Sequence, residues 1–390
     1  MRLRWMTAGE SHGPGLVGIV EGVPAGLRLL AADVDVDLAR RQTGYGRGGR
    51  MKIEKDRVVL QAGVRGGETL GGPIALLVEN RDFASWQGRM GAAPFAEPPE
   101  AFTRARPGHA DLAGGIKYGQ HDLRDVLERA SARETTLRVA VGAVCRRLLA
   151  ECGVTVFGHV VSIGAVEARA LEGGWDAVRA AAEADDLRTA DPDASAQMRA
   201  AIHAASHAGD TLGGVFEVVA LGVPIGLGSH VQWDRKLDGR LAQALMSIQA
   251  IKGVELGLGF GAARARGSDV HDPIAWAADG AGGGSFSRAR NGAGGVEGGI
   301  TNGEPLRCRA AMKPIATLRA ALDTVDVRTK EATTAATERS DVCAVPAASV
   351  VGEAMVCITL ADALLEKFGG DSMPELLARL GAWREHVRTY

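Results

Sequence analysis

Aromatic side chains are scarce. Phe, Trp and Tyr make up 4% of the 390 residues, with only three tyrosines. So few rings leave little to stack on exposed bases, which weighs against a single-stranded nucleic acid as partner. An excess of either charge is also missing. Lys and Arg number 45 against 47 Asp and Glu, a formal net charge of -2. Nothing draws the whole chain to nucleic acid or an anionic membrane, so any anion site must come from local basic clusters. The five cysteines, Cys145, Cys152, Cys308, Cys343 and Cys357, form no C-x-x-C and are odd in number. Inert thiols in a reducing cytoplasm are expected. No stretch approaches the ~20 apolar residues of a membrane span, and Glu10 precedes any apolar run long enough for a signal peptide. His203 and His207, in "HAASH", have no third ligand or H-E-x-x-H glutamate beside them, so no metal is expected.

Glycine, by contrast, is abundant: 53 residues, well above the usual share of about 7%. GPGLVG at 13–18 matches the G-x-G-x-x-G of dinucleotide sites, and Asp33, Asp35 and Asp37 follow near the spacing of a ribose-binding acid. Such a fingerprint must open a helix. Here "IVEGVPAGL" brings β-branched residues, Gly22 and Pro24, and reads as strand, turn, strand. A Rossmann-type NAD dehydrogenase is therefore the weaker enzyme alternative.

A hydrophobic share of 46% fits a globular chain of one large domain or two to three ordinary ones. Strands are expected in "KIEKDRVVLQAGV", "GGPIALLVEN" and "VTVFGHVVSIGAV", and a hairpin in "GGVFEVVALGVPIGLGS". Helices are expected in "DVDVDLARRQ", "GGWDAVRAAAEADD", "DPDASAQMRAAIHAASHAG", "RKLDGRLAQALMSIQAIKGV" and the C-terminal "DSMPELLARLGAWREHVR". Residues 122–151 hold no proline and one glycine, Gly142. Val126, Ala130, Leu137, Val141, Val144 and Leu148 recur there at helical spacing, which predicts one long buried helix. "AASVVGEAMVCITLADALLEKF" is apolar nearly all round and predicts a core helix. Residues 275–293 read as a mobile glycine-rich loop. GVPAGL (22–27) recurs as GVPIGL (222–227), and GETLGG (67–72) as GDTLGG (209–214). The differing order excludes a tandem repeat. It leaves shared turn chemistry or two equivalent β-layers around shared helices.

Several clusters carry chemistry. "ARRQTGYGRGGRMKIEKDR" (39–57) gathers Arg40, Arg41, Arg47, Arg50, Lys52, Lys55 and Arg57 among glycines, suited to bidentate anion binding. In "RARPGHADLAGGIKYG" (104–119), His109 sits in a Pro-Gly turn near Arg104, Arg106 and Asp111. The arginines favour its neutral form unless an anion or Asp111 holds the proton. "ERASARE" (128–134) places Arg129 and Arg133 one turn apart around Ser131, with Glu134 and Arg138 an ordinary i,i+4 pair. In "AAMKPIATL" (310–318), Pro314 is expected to open a helix whose N–H groups face an anion beside Lys313. "TERSDVCAVPAAS" (337–349) puts Arg339 and Asp341 in a loop before the core helix.

Together these segments resemble the chorismate synthase family. The likeness covers nearly the whole chain, in family order. It runs through "AGESHGPGL", "RRQTGYGRGGRMKIEKD", "TLGGPIAL", "RPGHADLAGGIKYG", "VLERASARET", "GDTLGG", "IQAIKGVELG", "GGVEGGITNGEPLRCRAAMKPIATL", "RSDVCAVPAASVV" and "LLEKFGGDS". The glycine-rich insertion at 281–284 departs from it. The resemblance implies one domain over 1–390, an α+β fold with a helical core between antiparallel β-sheets, and a homotetramer. It implies a 1,4-anti elimination of phosphate and a C6 proton from 5-enolpyruvylshikimate 3-phosphate, giving chorismate in the shikimate pathway. Reduced FMN is required with no net redox change. A flavin reductant comes from outside the chain, with NADPH as an indirect source.

The same resemblance implies residue roles. His12 is the acid near the leaving phosphate, with Ser11 beside it. His109 sits by the flavin, and Asp341 and Ser131 serve the C6 proton. Arg41, Arg47, Arg50, Arg106, Arg133 and Arg339 hold substrate anions. FMN lies near Arg129, Ala130, Ser131, Gln249, Ala250, Gly298, Lys313, Pro314, Ile315, Ala316, Thr317 and Arg339. Arg41 and Arg47 touch NADP where it is bound. An anion- or RNA-binding scaffold is the non-enzyme alternative.

Overall fold

The computed structural model describes residues 3–48, 55–280, 282–338 and 340–390. A layer of helices lies between two antiparallel sheets, an α+β sandwich as expected. In the first sheet Arg4–Ala8 pairs with Gly15–Glu21, which pairs with Ile74–Glu79, which pairs with Val58–Ala62. The order across the second is Ile251–Leu256, Leu306–Met312, Gly214–Leu221, Thr155–Ile163 and Val166–Glu167. Period-2 patterning sets the faces: Ile74, Leu76 and Val78 are buried and Ala75 and Leu77 are not. One-sided alternation is what an antiparallel sheet against a helical layer requires.

Helix Thr135–Glu151 packs on the first sheet and helix Val345–Phe368 on the second, and the two pack on each other. Ala31–Gln42 and Leu237–Met246 flank them. Val345–Phe368 carries Pro346 in its first turn and ends at Gly369, the usual punctuation of a helix. Contrary to expectation, it is long and apolar enough to cross a membrane; its apolar window is entirely buried within the protein. The crossing is close because Gly142 lacks a side chain. A Cβ there would lie 2.4 Å from Cβ of Ala354. Gly142→Ala therefore forces the helices apart, and its urea midpoint should fall by the equivalent of about 1–3 kcal/mol. An unchanged midpoint would contradict this packing.

Inside the layer, Glu353 is fully buried. It binds Arg40 at 2.8 Å and Arg188 at 2.8 Å, pairs with Arg146, and accepts the Gly158 N–H at 2.9 Å. Burial opposes its charge, but the three guanidinium groups outweigh that and hold its carboxyl down at about 2.

Four expectations are corrected. Residues 122–151 form two helices, Arg124–Ala130 and Thr135–Glu151. Between them Ser131 is extended and its Oγ accepts the Arg133 N–H at 3.2 Å. A serine that caps the next turn breaks a helix without any proline or glycine. Residues 274–288 are not irregular: Ile274–Ala278 and Gly284–Arg288 pair as a hairpin, with Trp276 opposite Phe286 at 4.6 Å. The glycines occupy its turn. Pro314 opens no helix: the Ile315 and Thr317 carbonyls accept the Thr211 and Ser340 hydroxyls, and Ala320 gives its N–H to the Gly209 carbonyl. GVPAGL and GVPIGL lead to no second strand; each is a plug between a strand and a helix.

Those two plugs are built alike. Thr69 donates its hydroxyl to the Pro24 carbonyl and accepts the Leu27 N–H, and Thr301 does the same with Pro224 and Leu227. Backbone bonds from Gly26 to Thr69 and from Gly226 to Thr301 complete the match. Each plug follows a strand of a different sheet, so this echo reflects equivalent β-layers. GETLGG and GDTLGG are not equivalent, since Thr211 bonds the Ile315 carbonyl.

Candidate active site

GPGLVG reaches the site as a turn and a strand. Its glycines lead into the strand Gly15–Glu21 and open no helix, the next helix starting only at Ala31, which removes the Rossmann alternative. The turn before it holds His12 in a cage. Its backbone N–H and Nδ1 both meet Glu128, at 2.7 and 2.8 Å, and its ring lies on Trp86 with centroids 4.1 Å apart. The Ser11 N–H bonds the Glu128 carbonyl at 3.0 Å. Burial opposes the Glu128 charge, yet hydrogen bonds and charge from His12, with Arg124, hold its carboxyl below the usual range. Nδ1 therefore carries the proton facing Glu128, and exchange with a ligand runs through Nε2.

Behind this turn, Asn80 donates to the Glu10 and Gly13 carbonyls at 3.1 and 2.8 Å, and accepts from Arg133 at 2.7 and 2.9 Å. Arg133 also binds Asp56 at 2.6 Å, and Arg41 binds its other oxygen at 3.0 Å. Burial pushes Arg41 down to about 10; Asp56 resists this, while Arg133 and Arg47 add to it. The buried Nε of Arg41 has no hydrogen-bond partner among the described residues. Two buried guanidinium groups thus converge on Asp56, a concentration of positive charge suited to anions.

The second histidine has the same arrangement. Nδ1 of His109 lies 2.6 Å from Asp111, and Arg106 forks onto both Asp111 oxygens at 2.8 and 3.0 Å. Arg106 also comes within 3.1 Å of Nδ1. One nitrogen cannot donate to a carboxylate and accept from a guanidinium at once, and the shorter contact fixes Nδ1–H toward Asp111. Burial opposes the charge of Asp111; hydrogen bonds from His109 and Arg106 win and hold its carboxyl far below the usual range. Arg106 reaches the Thr317 hydroxyl at 3.1 Å. A Cβ on Gly108 would stand 3.7 Å from Lys313 Nζ, so residues 313–317 border this turn.

Arg124 joins the two halves. It stacks over Trp86 and Phe102, contacts Glu128 at 3.4 Å and pairs with Glu338 at 2.8 Å. Arg106 lies over the same Phe102 ring. From the far side Arg47 pairs with Asp341 at 2.9 Å, and Asp341 accepts the Gly48 N–H at 2.6 Å. A cavity of about 580 Å³ opens there, lined by Tyr45, Arg47, His203, Arg319, Glu338 and Ser340. A second hollow, of about 510 Å³, is lined by Trp233, Arg240 and Glu366 and includes none of these groups.

Ser11, His12, Arg41, Arg47, Arg106, His109, Ser131, Arg133, Lys313, Thr317 and Asp341 thus belong to one network or border it. Arg41, Arg47, Arg106 and Arg133 each face a carboxylate, because a buried guanidinium without one is too costly. Arg129 lies beside the network, bonded to the Thr7 and Gly9 carbonyls. Gln249 donates to Glu134, and Ala250, in a left-handed conformation, accepts the Lys313 N–H. Gly298 is placed at the opposite end of a helix. Its neighbour Gly299 accepts the Leu237 N–H at the start of a ten-residue helix, whereas Gln249 follows the end of that helix, about 15 Å away along its axis. Arg50 and Arg339 lie outside the described residues. His203 and His207 place Nε2 atoms 3.2 Å apart, and among the described residues no three metal-ligating side chains converge. The reading of the sequence missed Asp56, Asn80, Trp86, Arg124 and Glu128. Only the charge of Glu128, one turn from Arg124, offered any signal.

Two carboxylate-held imidazoles thus lie among buried arginines on an α+β fold, groups able to carry protons beside groups able to bind anions. The family model for chorismate synthase matches residues 3–365. Chorismate synthases of Geobacter metallireducens and Aquifex aeolicus are 55% and 54% identical, over 100% of this chain and 100% and 99% of theirs. That of Rubrobacter xylanophilus is 59% identical over 97% of this chain and 95% of its own. A chorismate synthase crystal structure matches with TM-score 0.81 and 46% identity, over 100% of this chain and 99% of that one. The chain belongs to the chorismate synthase family, and so to the carbon–oxygen lyases acting on phosphates.

Proposed function

We propose that the chain eliminates phosphate and the C6 proton of 5-enolpyruvylshikimate 3-phosphate, giving chorismate. The observation that carries this reading is the sharing of Asp56 by buried Arg41 and Arg133. A substrate with two carboxylates and a phosphate is the chemistry that converging guanidinium groups recognise. Arg41, Arg47, Arg106 and Arg133 orient it. His12 delivers a proton through Nε2 to the departing phosphate, while Glu128 steadies the charge left on Nδ1. Asp341, once Arg47 turns to the substrate, is the carboxylate that receives the C6 proton, with Ser131 along the route. Proton and phosphate leave the substrate together, so the reaction balances without an oxidant.

Reduced FMN fits the residues present. Burial and Lys252 lower the Lys313 pKa, and its Nζ donates to the Pro314 carbonyl at 3.4 Å. A buried, unsatisfied Gln249 Oε1 lies nearby, on the residue before Ala250. Arg129, Ser131, Gln249, Ala250 and Lys313–Thr317 would hold the group, with His109 beside it. When bound, it supplies a transient electron as phosphate leaves. We place the reductant outside the chain, the enzyme in the cytoplasm and the assembly as a homotetramer.

Arg47→Ala tests the anion reading. Losing one desolvated charge-assisted contact should weaken substrate binding by about 1.5–3 kcal/mol, seen by calorimetry. Unchanged substrate affinity with lost RNA binding would instead favour the scaffold alternative.

A further inference from the structure

We infer that Glu128 and Arg124 are an opposed pair of positioning residues that set how tightly His12 holds its proton. This rests on the reading of His12 as a proton donor. Glu128 grips His12 twice, through Nδ1 and the backbone N–H, so ring and turn cannot rotate apart. A carboxylate at 2.8 Å stabilises the imidazolium. Arg124 contacts the same Glu128 oxygen, Oε1, that meets Nδ1, and so draws on the same negative charge. It cannot swing away easily. Trp86 and Phe102 hold the guanidinium at 5.1 and 5.3 Å from their ring centroids, and Glu338 pairs with its other nitrogen. Trp86 also stacks on His12, so one ring fixes the imidazole and its tuning arginine.

Among the described residues the other charged groups around this turn do not duplicate the pair; Asp125, whose pKa is raised by burial, Asp122 and Glu128, is three residues before Glu128 on the same helix. Glu10 lies in the His12 turn itself, with its carboxylate against Gly13. Arg133 and Asp56 face each other behind Asn80. Asp82 sits in the Asn80–Trp86 segment and accepts from Ser85. None of these is placed between Nδ1 and its carboxylate.

The two substitutions must therefore act in opposite senses. Glu128→Gln removes the negative charge. Its amide must also turn an NH₂ toward either the His12 N–H or Nδ1; in the second case Nδ1 accepts and the proton moves to Nε2. The His12 titration midpoint should fall by about 1–2 pH units. Arg124→Met frees Glu128 for His12 alone, and the midpoint should rise by about 0.5–1 unit. If His12 is the donor, the limb where turnover fails as pH rises should follow, lower in Glu128→Gln and higher in Arg124→Met.

The experiment is an NMR titration of the full chain labelled with ¹³C in its histidine rings, with His12 assigned from the signal lost in His12→Ala. Anaerobic pH–rate profiles are recorded on the same variants. Opposite NMR shifts support the inference. Shifts of the same sign, or none, overturn it. Opposite NMR shifts with an unmoved rate limb support the positioning pair and overturn the reading of His12 as donor. Should Glu128→Gln fail to fold, the sign of the Arg124→Met shift decides alone, because a merely structural arginine would not raise the midpoint.

Discussion

Replacing His12 or His109 by alanine should lower the single-turnover rate by about 10²–10⁴-fold, the range for losing a positioned acid or base. Each imidazole has Nδ1 against a carboxylate, Glu128 at 2.8 Å and Asp111 at 2.6 Å. That fixes the tautomer and orients Nε2, the features an acid needs. Substrate binding should survive better than turnover, because the arginines supply most of the anchoring. The check is anaerobic single-turnover kinetics with pre-reduced FMN, alongside a substrate titration. Near-normal rates in both variants, with the fold intact, would show that the acids lie elsewhere.

Glu353→Ala should be among the most destabilising substitutions in the chain, at about 3–5 kcal/mol, since it strands buried arginines without their shared partner. The same carboxylate makes stability depend on acid. Its folded pKa of about 2 lies below the ordinary value of 4.5. Its contribution is therefore complete above pH 4.5 and is lost as pH falls toward 2, amounting to about 3 kcal/mol. Urea midpoints taken from pH 7 to pH 3 should fall for the parent chain. Glu353→Gln should show a shallower fall. Parallel pH dependence in the two would place the acid sensitivity on other groups.

Much of the fold is legible because apolar period and turn chemistry agree locally. Ile74–Glu79 alternates, Val345–Phe368 is apolar all round between Pro346 and Gly369, and each becomes the expected element. The echo of GVPAGL in GVPIGL marks two plugs held by Thr69 and Thr301. The failures have two causes: a side chain that caps its own neighbouring backbone, and a distant partner that overrides a local preference. Ser131 leaves the helix to cap the next turn, and Ala320 gives its N–H to Gly209. At the site, histidines and arginines stand out by chemistry and by their turns. Their partners Asp56, Asn80 and Glu128 do not, because nothing local distinguishes a carboxylate that will meet a residue 77 or 116 positions away from a solvated one.

The central claim is an elimination that needs reduced flavin yet consumes no reductant. It is tested by mixing the pure chain, 5-enolpyruvylshikimate 3-phosphate and FMN without oxygen, with the flavin oxidised in one sample and reduced in the other. Flavin absorbance and chorismate are followed together. The account predicts many turnovers of chorismate in the reduced sample, with the flavin still reduced at the end, and none in the oxidised one. Equal turnover in both samples, or none in the reduced sample with substrate bound, would contradict it.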